Sequence, residues 1–111
     1  MKKQPDDAAL KHYSREHGRC LGVVVRELRT ERGLTQHEVA KRAKVSLLWV
    51  QRLEENQLLD TNYSIGRVYR VACALGVELY EFYKRAEEMT GPAPWLRRKK
   101  IRKDDQNGAA D

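Results

Sequence analysis

Cysteine and proline are scarce in this chain, and long apolar runs are missing. Among 111 residues there are two cysteines, Cys20 and Cys73, far apart and outside any Cys-x-x-Cys pair. No disulfide framework follows from that spacing. Both fall on apolar faces of expected helices and read as buried free thiols, with a bond between two helices as the alternative. His12, His17 and Cys20 have no fourth ligand beside them, so a helix surface carrying two histidines is expected and a metal site is not. Prolines number three and no stretch alternates apolar with polar residues, which points to helices rather than strands. No apolar run approaches the roughly 20 residues of a membrane span, and none follows the charged N-terminus as in a signal peptide. The expectation is a cytoplasmic protein with no membrane contact. Glycine-rich phosphate loops, nucleophile elbows and pocketed acid pairs are also missing, so neither an enzyme nor a cofactor is expected.

What is present is helical spacing and positive charge. A chain of this length forms one small core without staples. The net charge of +6 is uneven: Arg97-Arg98-Lys99-Lys100-Ile101-Arg102-Lys103 carries six positive charges and no acid. Residues 1–96 then hold 16 basic and 13 acidic side chains. Following Gly91-Pro92-Ala93-Pro94, the basic run reads either as a phosphate-tracking tail or as a solvated one.

The segment Gly33-Leu34-Thr35-Gln36-His37-Glu38-Val39-Ala40-Lys41-Arg42-Ala43-Lys44-Val45-Ser46 is richer. Thr35 can cap a helix, and Glu38 three residues later completes a capping box. Val39, Ala40 and Ala43 then form one apolar stripe. Ser46 caps the next helix, whose buried face is Val50 and Leu53. Two short helices joined by a turn of three or four residues make a unit that enters the DNA major groove.

Leu21-Gly22 through Val25, Leu28-Arg29, Arg32 to Gln36, Val39-Ala40, Val45-Ser46, Val50 and Leu53-Glu54 together resemble the Cro and phage-repressor (XRE-like) helix-turn-helix family. Ile65, Val68, Val71-Ala72, Leu75-Gly76-Val77 and Leu79 through Phe82 match its closing helices. The resemblance runs from about Cys20 to Tyr83. It implies an all-α, five-helix, lambda-repressor-like domain that binds double-stranded DNA and regulates transcription. By position it implies phosphate contacts near Thr35 and Gln36, with Gln36 also bracing the recognition helix. It implies a structural pair, Arg29 with Glu54.

The recognition helix, about 47–55, should present Ser46, Leu47, Leu48, Gln51 and Arg52 outward. Arg52 suits a guanine edge, Gln51 an adenine edge or a phosphate, and the two leucines thymine methyl groups. Lys44 and Gln57 would flank the backbone. His37 reads as exposed. Lys44 stands where the family has a turn glycine, so it should take positive φ at a cost of about 1 kcal/mol. Trp49 should pack partly into the core. The loop after Glu54 is about three residues longer than usual and carries Leu58-Leu59, a pair suited to a dimer contact.

The expected organisation is an N-terminal extension (1–18) with a short docked helix, a helix-turn-helix domain (19–90), and a linker with basic tail (91–111). Core helices are expected over about 21–32, 36–43, 47–55, 64–75 and 79–89, closed by Gly33, Gly76 and Thr90-Gly91-Pro92. The tyrosines Tyr13, Tyr63, Tyr69, Tyr80 and Tyr83 suit core and interface packing. The leading function is a repressor that binds a palindromic operator as a homodimer, its dimer face drawn from Tyr80, Tyr83 and Met89 or from Leu58 and Leu59. One alternative is a protein-interaction or antitoxin-like subunit that docks a protein partner through Leu47, Leu48 and Trp49. The other is binding of nucleic acid without sequence preference, led by the basic tail.

Overall fold

The computed structural model describes residues 5–58, 63–91 and Trp95. Among them are five helices and no strand: α1 Asp7–Glu31, α2 Gln36–Ala43, α3 Leu47–Glu54, α4 Ile65–Ala74 and α5 Leu79–Thr90. The fold is therefore all-α. Side chains set most of the helix starts. Asp6 accepts from Ala9 N at 2.7 Å, Ser46 from Trp49 N at 3.1 Å and Ser64 from Arg67 N at 3.2 Å. Each satisfies an amide that the helix leaves unpaired. Thr35 and Glu38 form the full capping box, with both bonds at 3.0 Å.

The N-terminal region differs from the sequence reading, which breaks the chain before Gly18 and starts the core helix at Leu21. Instead α1 is one helix of 25 residues. A helical glycine costs about 1 kcal/mol against alanine. Burial of Val24, Val25 and Leu28 on the same face contributes about 1.5–3 kcal/mol each and outweighs it. The glycines serve close packing instead. A Cβ on Gly22 would collide with the Leu53 carbonyl oxygen, and one on Gly18 would sit 2.7 Å from the Tyr63 hydroxyl.

Helix α1 packs against α5 and α3, α2 against α4 and α3, and α4 against α5. Leu28, Val50, Leu53, Val68, Leu75 and Phe82 are fully buried where these helices meet. Cys20 joins that core, but Cys73 is exposed. It lies on the side of α4 turned away from Val68, Val71 and Ala72, so the expectation of two buried thiols fails for Cys73. Both cysteines are free. No helix among the described residues is long and apolar enough to cross a membrane. Leu59 and the basic run 97–103 lie outside the described residues.

Candidate nucleic-acid interface

The turn between α2 and α3 is built from backbone bonds. Lys44 N donates to Lys41 O at 3.3 Å and Val45 N to Ala40 O at 3.1 Å. This pattern requires a left-handed residue between them, and Lys44 takes it at φ 57°. Arg70 of α4 reaches the Lys44 carbonyl at 3.4 Å. The end of α3 repeats the arrangement: Asn56 is left-handed at φ 56°, and Gln57 N donates to Arg52 O at 2.7 Å. Asparagine just past a helix was the available signal for that second turn.

Below the turn lies one buried carboxylate. Glu54, at the last position of α3, accepts from Arg29 twice, Nε at 2.8 Å to Oε2 and Nη2 at 2.9 Å to Oε1. Gln36 Nε2 donates to Oε1 at 3.1 Å and Arg26 Nε at 3.3 Å. Arg29 also holds the Leu34 carbonyl at 3.0 Å. Helices α1, α2 and α3 are thereby tied at one point. Burial pushes the Glu54 carboxyl up, but the Arg29 and Gln36 hydrogen bonds, the Arg29 charge and Arg26 outweigh it and hold it below the usual carboxylate range. The Arg29 guanidinium is pushed up by its bonds to Glu54. Sequence reasoning paired Glu54 with Arg29 alone. It missed Arg26, although Arg26 and Arg29 stand three apart on one helix and so share a face.

The outer side of α3 carries Leu48, 52% exposed, and Arg52 one turn further on. Arg52 makes no ion pair among the described residues. Gln51 is half-buried beside them; Gln57, Lys44, Ser46 and Thr35 are exposed, as is His37. Leu47, expected outward with Leu48, packs partly against the core, and Trp49 is buried. Neighbouring positions on a helix of about 3.6 residues per turn point about 100° apart, so the consecutive leucines divide between the two sides.

The residues offered for a dimer face also divide. Tyr80 and Met89 are exposed, whereas Tyr83 and Leu58 pack against the chain's own core. Tyr83 stacks on His17 with ring centroids 5.6 Å apart and planes 7° from parallel.

The helix-turn-helix family model matches residues 25–82, just over half of the chain. This is the span from the Arg26–Arg29 face of α1 to Phe82 in α5. The chain belongs to the Cro/phage-repressor-type, XRE-like helix-turn-helix family. No match was found among curated proteins or among solved structures. Membership makes it a DNA-binding transcription regulator of a family that is not enzymatic. In this helix-turn-helix, α2 and α3 are the two helices of the motif and Lys44-Val45-Ser46 is the turn.

Proposed function

We propose that the protein is a cytoplasmic repressor that binds a palindromic operator as a homodimer, with α3 in the major groove. The observation carrying this reading is the two-sided character of α3. Val50, Leu53 and Glu54 fix one side to α1 and α2, while Leu48 and Arg52 stand free on the other. A rigid helix with an exposed guanidinium is what bidentate reading of a guanine edge requires. Thr35, Gln36, Lys44, Ser46 and Gln57 surround α3 as contacts to the sugar-phosphate backbone. Such contacts set register while base contacts set sequence. Two-fold symmetry would place two α3 helices about 34 Å apart. Of the residues offered for the dimer contact, Tyr80 and Met89 on α5 are exposed among the described residues.

The protein-docking alternative needs Leu47, Leu48 and Trp49 on one surface. Of the three only Leu48 is exposed, which favours the operator reading. Selection of bound duplexes from a randomised pool tests it. A palindromic motif should emerge with wild type and blur at defined positions with Arg52→Ala. An unenriched pool would refute the proposal.

A further inference from the structure

Arg26 and Arg29 both face Glu54, but only Arg29 is fully engaged. Its Nε and Nη2 hold the carboxylate and its Nη1 holds Leu34 O. Its side chain is 18% exposed. Arg26 donates through Nε alone, and its side chain is 57% exposed. Its terminal nitrogens Nη1 and Nη2 have no partner among the described residues. The carboxylate does not take them: its Oε1 already accepts from Arg26 Nε, Arg29 Nη2 and Gln36 Nε2, and its Oε2 is held by Arg29 Nε. Two guanidinium groups against one carboxylate leave one uncompensated positive charge here, and the geometry puts it on Arg26.

That charge shares its acceptor with the side chain of the first residue of α2. Arg26 Nε and Gln36 Nε2 donate to the same atom, Glu54 Oε1. Gln36 is the first residue of α2, where outward-pointing amides and the helix dipole favour an anion. A planar guanidinium anchored at Nε keeps its terminal pair in a fixed direction, the arrangement that suits two oxygens of one phosphate.

We infer that Arg26 is a DNA phosphate contact, with its guanidinium oriented by Glu54 and its two free terminal nitrogens donating to a phosphate that also meets the start of α2. This rests on the DNA-binding reading above and adds a contact from α1 to it. Arg29, by contrast, is structural only.

Salt dependence reads the contact directly, because each neutralised phosphate adds about 0.9 to the slope of log K against log salt. The full-length protein, Arg26→Gln and Arg26→Lys are titrated with a random-sequence duplex over a salt series, and their folding is checked by circular dichroism. Arg26→Gln should lower the slope by about 0.9 and weaken binding equally on every sequence. Arg26→Lys, which keeps the charge, should restore most of the slope. A folded Arg26→Gln with the wild-type slope would overturn the inference while leaving DNA binding intact. Should Arg26→Gln not fold, Arg26→Ala takes its place, and a folded Arg26→Ala with the wild-type slope overturns the inference too. Absence of any salt-dependent binding by wild type would overturn the DNA-binding reading and this contact together.

Discussion

At the scale of single residues the molecule turns on Glu54. Its buried carboxylate holds three helices by four hydrogen bonds, and without it the mostly buried Arg29 guanidinium keeps only the Leu34 carbonyl. Glu54→Ala should cost about 3–5 kcal/mol, the usual result of orphaning buried charge, measured as a loss in urea unfolding. The carboxyl is held below its ordinary value of 4.5, so the unfolded chain binds its proton more readily. Its contribution is then complete above that value and is lost as pH falls through the lower folded pKa. Lys44 is the second such residue. It occupies the left-handed region at φ 57°, where glycine is unstrained. Lys44→Gly should raise stability by about 1 kcal/mol and, on the proposed function, weaken DNA binding by removing a cation. The strained turn at Lys44 was legible because a family position that calls for glycine holds a lysine. Arg26 was not, because helical spacing shows that two side chains share a face without showing what lies opposite them.

At the scale of elements, the caps were legible and the continuity of α1 was not. Thr35, Ser46 and Ser64 are local signals, satisfied within three residues. Gly18 looks like a stop in one dimension, but in three it is a place where Tyr63 comes close. The two glycines of α1 differ in what surrounds them. At Gly22 the obstacle is the Leu53 backbone, which belongs to α3, and at Gly18 it is a tyrosine side chain. Gly22→Ala should therefore destabilise by about 1–3 kcal/mol through overpacking and shift α3. Gly18→Ala should lie within about 1 kcal/mol of wild type, because Tyr63 can turn aside and alanine favours the helix. Thermal unfolding of both variants checks the contrast. The division of Leu47 from Leu48 was equally beyond sequence, since both positions are apolar and the helix is only eight residues long.

Across the whole molecule, α1 joins two contacts of different kind. Its C-terminal half meets α2 and α3 through Glu54, and its N-terminal half meets α5, where His17 stacks on Tyr83. Burial lowers the His17 pKa and Glu87 offsets part of that. The stability it brings is complete above the ordinary 6.5 and falls as pH drops towards the lower folded pKa. His17→Phe keeps a ring in the stack and removes the titration. Its urea midpoint should stay flat between about pH 7 and pH 5, where wild type declines.

On the proposed function, α3 enters the major groove on both halves of a two-fold site, with Arg52 at a guanine edge. Methylation protection of guanine N7 on a selected duplex tests it most directly, because that atom faces only the major groove. Two protected patches about 34 Å apart are expected, each losing a guanine with Arg52→Ala. Binding that leaves every guanine N7 open to methylation would contradict it.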